Sequence, residues 1–477
     1  MAIGIVWAEE NPIEGSISIY PGQGSVRIGG TLDIHISAAE NTVQIEATRI
    51  ERAWNSTIIA ESVDVAEYPM PTESAWRTNY KWPVAFSFTI PDDWEPGFYD
   101  FRVRSKIDPS YFERFQIAIQ PEELGSYGKV AVLTNESTNI AYNKEGGKSN
   151  YTGAKVLAFN RPNNYHYKEL DWKFPKWADD IGLPVEYLTT LDLHSEPGIL
   201  DVYDVLVLAG HSEYWSREMR TEVERFLEEG GKLISLSGNT MWWIVRFIET
   251  YEGTLMVSCK GSTFTPDCPS DLNLITQKWQ YFNPELKLFG ASWEYGGYVD
   301  SHGFYLAADG YGGYFVKNPR HWFWAGTGIL KGDHVGQDMG IAGYEADSPP
   351  LVIVNDKLII EQVEGLPENM ELLGSTPAGK PLSEGYGAII YFPYGNNGGE
   401  VFNCGSTDCV NGMPGDPLWN KAILNVFKKF GAIDAVATDF DNDGVDDSND
   451  NCVIDPNPTQ LDSYDDGTGD VCDQHCH

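Results

Sequence analysis

One stretch constrains this chain more than any other. Val205-Leu-Val-Leu-Ala-Gly210 is a short apolar run that stops at a glycine, and His211, Ser212, Glu213 and Tyr214 follow at once. Ser216 to Gly231 then reads as a helix with a serine N-cap and a glycine stop, and Lys232–Leu236 as a second buried strand. Strand, helix, strand in this order is a βαβ unit of a parallel sheet. Such sheets collect their ligands at the carboxyl ends of their strands. His211 and Glu213 fall at that position, where a metal-binding carboxylate or an acid–base imidazole is useful.

The rest of the chain is organised around that unit. Its 477 residues predict two to four domains. Residues 1–122 predict a small all-β sandwich of the Ig-like kind. Ser16–Tyr20, Val26–Ile28, Thr31–Ser37, Val43–Ile50 and Val84–Ile90 alternate polar with apolar residues, and a last hairpin runs through Trp94–Arg104. Residues 123–436 alternate strands and helices, from Lys129–Leu133 through Asp204–Ala209 and Lys232–Leu236 to a closing amphipathic helix at Trp419–Phe430. This predicts an α/β domain on a parallel sheet. Tyr251–Gly328 reads as an insertion or elaborate loops. Residues 437–477 hold almost no core residues and cannot fold by apolar burial alone.

Charge and cysteine narrow the classes of function. The net charge of −37 argues against nucleic acid or an anionic membrane surface as a partner. From Asp439 onward there are twelve aspartates and no lysine or arginine. No apolar run approaches the roughly 20 residues of a membrane helix. The start lacks the basic region of a signal peptide, so the chain is either cytosolic or was exported with its signal removed. Seven cysteines include the close pairs Cys259/Cys268 and Cys404/Cys409, in loop-like surroundings and without any CxxC. Disulfides explain these better than a zinc cluster, and point to export, secreted or at the cell surface.

The acidic tail has its own pattern. Asp439-Phe-Asp441-Asn-Asp443-Gly444-Val445-Asp-Asp447-Ser-Asn-Asp450 fits a twelve-residue calcium loop, with oxygen ligands at positions 1, 3, 5, 9 and 12, a backbone carbonyl from Val445, and the glycine needed for the turn. The wider segment, residues 439–473, resembles the thrombospondin type 3 repeat, an extracellular calcium-dependent module. That resemblance implies a second Ca²⁺ loop using Asp462, Asp466, Asp470 and Asp473, weaker because Tyr464 stands where a carboxylate is usual. It also implies a Cys452–Cys472 disulfide and attachment to a cell surface or extracellular matrix. The rival reading is a disordered acidic tail.

Several motifs of the central region occur in a characteristic order. They are Asn139-Ile-Ala-Tyr142-Asn through Tyr151, Phe159-Asn-Arg161-Pro162, Leu191-Asp-Leu-His194, His211-Ser-Glu213, Ser237-Gly-Asn239, Ala325-Gly-Thr-Gly and Gly343-Tyr-Glu345-Ala-Asp347. In this order they resemble the large subunit of the N,N-dimethylformamidase family, over roughly residues 10–430. The resemblance implies a β-sandwich joined to a core like the class I glutamine amidotransferases. It implies a mononuclear iron, Fe(III), held by two tyrosines and a glutamate, here Tyr99, Tyr142 and Glu213, with His211 as acid–base and Glu345 as a further site carboxylate. Phenolate and carboxylate are hard anionic ligands suited to such an ion. The implied substrate is a small amide. The family's small subunit has no counterpart in this sequence, and a homo-oligomer is left open.

Each of these residues also has a plainer reading. Tyr99 could tie down a sandwich corner, and Tyr142 could be one loop aromatic among 25 tyrosines. His211 and Glu213 could serve the start of the following helix, and Glu345 could hold a loop. The amidotransferase-like core invites a cysteine nucleophile, but the corresponding turn is Ser237-Gly-Asn239, without cysteine or a GxSxG setting. Two rivals to the hydrolase remain: a non-catalytic extracellular binding or adhesion protein on the same scaffold, and a polysaccharide-associated protein that stacks sugars on the 15 tryptophans.

Overall fold

A computed structural model describes residues 17–51, 55–71, 73–163, 170–260, 268, 278–299, 312–380, 383–413 and 415–433. Of the tail it describes 443–445, 450–452, 456–463 and 469–471. The first layer is a β-sandwich. A three-stranded sheet (Ser18–Pro21, Thr31–Ser37, Val84–Thr89) faces a five-stranded one (Ser25–Arg27, Phe112–Gln120, Gly97–Ser105, Thr42–Arg49, Ser56–Asp64). The period-two alternation read from the sequence is what builds it: Leu32, Ile34 and Ile36 from one sheet meet Val43, Ile45, Phe101 and Val103 from the other in one core.

The second body is a long mixed sheet. Five strands run parallel in the order Val185–Leu188, Val130–Leu133, Val205–Gly210, Lys232–Ser237, Gly399–Asn403. The sheet then continues antiparallel through Ser383–Tyr394, Glu371–Lys380, Ser292–Tyr298 and Glu345–Ser348. The expectation of a parallel sheet therefore holds for only half of it. The antiparallel strands carry glycines and prolines (Gly374, Pro377, Gly379, Gly385, Gly387) that blur the alternation a strand is recognised by.

The parallel half is buried on both faces, which is why Val205–Gly210 reads as a continuous apolar run. Val205, Val207 and Ala209 pack with Phe174, Trp177, Phe427 and Trp419 on one face. Leu206 and Leu208 pack with Met219, Val223 and Phe226 on the other. Each such side chain is worth roughly 1.5–3 kcal/mol when fully withdrawn from water, so this strand is a fixed rail. The helix after it, Arg217–Glu228, has the expected serine cap, with the Ser216 hydroxyl accepting from the Met219 amide at 3.2 Å. It ends in the expected glycine turn, where Gly230 has φ of +104° and the Gly231 amide donates to the Phe226 carbonyl. The closing helix spans Pro417–Lys429, capped by Asp416.

Cys259–Cys268 and Cys404–Cys409 are disulfides, as their spacing suggested. Cys452 is disulfide-bonded as well, while Cys472 lies outside the described residues. No helix among the described residues is long and apolar enough to cross a membrane.

Candidate functional site

The rail ends at Gly210, whose φ of +87° turns the chain sharply. His211, Ser212 and Glu213 leave the sheet there and are all buried. Backbone and hydroxyl hydrogen bonds pin this corner. The Ser212 amide donates to the Ser237 hydroxyl of the adjacent parallel strand, and the Glu213 amide donates to the Thr138 hydroxyl. The Met241 and Trp243 amides donate to the Ser212 and Glu213 carbonyls. Ser216, not His211 or Glu213, caps the following helix, so the Glu213 side chain is available for other contacts.

Those contacts are two phenols. Tyr142, the last residue of helix Glu136–Tyr142, places its hydroxyl 3.1 Å from Glu213 Oε2. Tyr151, in the single turn Asn150–Thr152, places its hydroxyl 2.6 Å from that of Tyr142 and 3.0 and 3.1 Å from the two Glu213 oxygens. The other Glu213 oxygen also accepts from the Trp243 indole at 2.8 Å and from the Asn239 amide at 3.3 Å. Tyr151 as a residue is 45% exposed, yet its hydroxyl sits inside the cluster, and burial together with the Glu213 charge pushes it well above the usual phenol range. One side of the cluster therefore borders solvent.

Behind the phenols lies a charged line. His211 Nε2 is 2.9 Å from Glu345 Oε2 and 3.6 Å from Glu213 Oε2. Burial disfavours the imidazolium, but the hydrogen bond and charge of Glu345, with Glu213 and Asp347 beyond, outweigh it and raise the His211 pKa. Burial raises the Glu213 carboxyl, opposed by His211 and Lys260. Asn239 bridges the two carboxylates, donating to Glu345 Oε2 at 3.2 Å as well as to Glu213. Asn239 is held in the left-handed region (φ +49°) by its own amide and that of Thr240, which donate to the two oxygens of Asp347. The preceding Gly238 is obligatory: a Cβ there would lie 2.2 Å from the Glu345 carbonyl oxygen. Lys260 completes the set, its ammonium 3.2 Å from the Tyr151 ring centroid and 4.9 Å from that of Trp243. Burial lowers its pKa to about 8 against the pull of Glu213 and Glu345.

Of the five residues expected at this site, four meet: Tyr142, His211, Glu213 and Glu345. Tyr99 does not. It lies on strand Gly97–Ser105, where Tyr99, Phe101 and Val103 share the inward face and so pack into the sandwich core. Its hydroxyl donates to the Glu95 carbonyl at 2.8 Å and its ring stacks on Trp94 at 4.9 Å. The corner-tying reading of this tyrosine is the one its contacts support, and the second phenol beside Tyr142 and Glu213 is that of Tyr151. Tyr151, Asn239, Trp243 and Lys260 escaped sequence reasoning as site residues. Tyr151 closes the very segment that begins with Tyr142, and Asn239 sits in the strand-end turn beside His211, so adjacency offered a signal for both. Lys260 and Trp243 carried none.

In the tail, Asp443, Val445, Asp450, Asp462 and Asp470 are described, while Asp439, Asp441, Asp447, Asp466 and Asp473 lie outside the described residues. Asp443 accepts from the Val445 amide at 2.8 Å and the Asn457 amide at 2.7 Å. Gly444 has φ of +92°. Asp450 Oδ1 accepts from Cys452 N and Gln460 Nε2, and its buried Oδ2 has no hydrogen-bond partner among the described residues. Asp470 accepts from the amide and hydroxyl of Ser463.

Fold and cluster together define a class: a β-sandwich joined to a mixed α/β sheet, with two phenols, two carboxylates and an imidazole gathered where the parallel strands end. The sequence pattern of the family described as "N,N-dimethylformamidase beta subunit-like, C-terminal" matches residues 46–421, and the chain belongs to that family. It is 23% identical over 383 residues to the N,N-dimethylformamidase beta subunit of Paracoccus aminophilus, an alignment that covers 67% of this chain and 48% of that protein. The chain thus spans about half the length of that relative.

Proposed function

We propose that this chain is an iron-dependent hydrolase of a small amide, with Tyr142, Tyr151 and Glu213 as the protein ligands of the metal. One observation carries the reading: three oxygens from three separate segments converge to within 2.6–3.1 Å of one another. A small hard cation with metal–oxygen bonds of about 2.0–2.1 Å places adjacent ligand oxygens about 2.9 Å apart. Two phenols and a carboxylate crowded this closely also repel once ionised, unless a cation sits among them. The donor set is all hard oxygen, which suits Fe(III) and leaves coordination positions for water and substrate. When bound, the ion supplies Lewis acidity toward the amide carbonyl and acidifies water.

The chain's own residues do the remaining work. Hydrolysis adds water across the C–N bond, so one proton must leave the water and one must reach the departing nitrogen. His211, whose imidazolium is favoured by Glu345 and Glu213, donates that proton to the amine nitrogen. Glu345, 2.9 Å from His211 Nε2, fixes the imidazole and takes up the proton of the attacking water. Asn239 holds the two carboxylates at a constant separation. Lys260 offsets their charge, and Trp243 with the Tyr151 ring forms an aromatic wall against the substrate.

In the same reading the sandwich is Ig-like, the core belongs with the glutamine amidotransferases, and the protein is exported. The disulfides favour an oxidising compartment. In the tail, Asp443, Val445 and Asp450 hold Ca²⁺, with Asp462 and Asp470 in the second loop, and the orphaned Asp450 oxygen is suited to a ligand role. The test is amine release from a panel of N-alkyl formamides and acetamides by iron-replete protein. Turnover by the wild type and none by Glu213→Ala is expected. A wild type that takes up no iron under iron-replete conditions and releases no amine would favour the non-catalytic binding protein instead.

A further inference from the structure

A cavity of about 330 Å³ lies between the sandwich and the α/β core and is lined by residues of both, among them Phe98, Phe115, Asn135, Asn139 and Asp171. Its polar lining has a definite sign. Asp171 accepts from the side-chain amides of Asn135 at 2.7 Å and Asn139 at 3.5 Å, and the Asn135 amide also donates to the Ala209 carbonyl at 2.7 Å. Both amide nitrogens must therefore face these acceptors, and neither asparagine can be turned over. Their Oδ1 atoms are left buried with no hydrogen-bond partner among the described residues, and Asn135 is only 4% exposed. A buried carbonyl without a donor is costly enough to call for an explanation.

The cavity's own cations do not answer that need. Arg161 spends its donors on the backbone carbonyls of Ala158, Glu145 and Asn143. Arg114 lies over the Phe112 and Trp172 rings, 3.7 Å from Asp100. The unspent polar atoms of the lining are the two amide oxygens and the Thr134 hydroxyl, and the carboxyls of Asp171 and Glu136 stand beside them. Around them Phe98 and Phe115 of the sandwich, with Phe174 and Tyr187 of the core, supply aromatic walls. Acceptors within an aromatic box recognise an organic cation, which donates N–H to the oxygens and presents its alkyl groups to the rings.

We infer that this cavity binds a small alkylammonium ion, its N–H groups on Asn135 Oδ1, Asn139 Oδ1 and Asp171. Burial raises the carboxyl of Asp171 to about 6 and, with the charge of Asp192, that of Glu136 to about 7. An amide hydrolase releases amines, so the ligand class suits the function proposed above, but binding here requires no turnover.

The test is isothermal titration of the full chain with dimethylammonium chloride at pH 8, with sodium formate in parallel. Saturable binding of dimethylammonium and none of formate is expected. Asp171→Asn should weaken the affinity by about ten-fold or more, and Glu136→Gln should weaken it less. Glu213→Ala should leave it intact, which separates this cavity from the cluster at Glu213. If Asp171→Asn does not fold, Glu136→Gln decides alone. Absence of saturable binding, preference for formate, or unchanged affinity in the folded variants would overturn the inference.

Discussion

Tyr99 lies on an inner strand of the sandwich and Tyr142 at the end of a helix of the α/β core, and their surroundings separate two ways of placing a phenol. In the sandwich, Tyr99 gives its proton to a single backbone carbonyl four residues back and stacks on a neighbouring indole. In the α/β core, the Tyr142 hydroxyl lies beside the oxygens of Glu213 and Tyr151. The first arrangement is complete in itself, because one donor meets one acceptor. The second gathers acidic oxygens and leaves them wanting a cation. The difference teaches that the partners of a hydroxyl, more than its burial, separate a tyrosine that ties down a fold from one placed within a cluster of acidic groups.

The comparison can be broken by mutation, and the largest effects belong at the strand end. Glu213→Ala removes the carboxylate shared by both phenols. It is expected to lose bound iron and to cut amide hydrolysis below detection, as metal analysis and an amine-release assay would show. Retained iron would place the metal elsewhere. His211→Asn should keep the iron but lower kcat by about 10²–10⁴-fold, the usual range for a lost general acid. A kcat within a few-fold of the wild type would remove His211 from the proton path.

Smaller effects are expected away from the cluster. Glu136 has its pKa raised to about 7 by burial and by the charge of Asp192. The folded protein therefore holds this proton more tightly than the unfolded chain. Its stabilising contribution is full below about 4.5 and is lost as pH rises through 7. Glu136→Gln should melt higher than the wild type at pH 8, by about 1–2 kcal/mol of stability, and the gap should close by pH 4. A gap that widens toward acid would contradict the sign. Least is expected of Tyr99→Phe, which deletes one hydrogen bond to a backbone carbonyl. It should lose about 1 kcal/mol in denaturant unfolding while iron content stays unchanged.

What the sequence disclosed follows the strength of each local signal. The run at Val205–Gly210 and its capped helix are legible because both faces of the strand are buried and both helix ends carry their own punctuation. The order of short motifs was sufficient to bring Tyr142, His211, Glu213 and Glu345 together. Tyr99 misled because a sequence pattern does not say which face of a strand a residue occupies, and strand register sends Tyr99 inward with Phe101 and Val103. Tyr151 was hidden because its role depends on the fold of the turn at Asn150–Thr152, which no periodicity announces. Lys260 reaches the cluster from the end of a distant strand, Gly253–Val257, and only tertiary packing reveals it. The antiparallel half of the main sheet was missed because its glycines interrupt the alternation.

The central claim is that the metal sits on Tyr142, Tyr151 and Glu213 and not on Tyr99. Visible absorption of the iron-loaded protein tests it most directly, since a phenolate bound to Fe(III) gives a charge-transfer band. Tyr142→Phe and Tyr151→Phe should each weaken and shift that band, and Tyr99→Phe should leave it unchanged. A band that survives Tyr151→Phe but disappears in Tyr99→Phe, or a wild type that is colourless when replete with iron, would contradict the account.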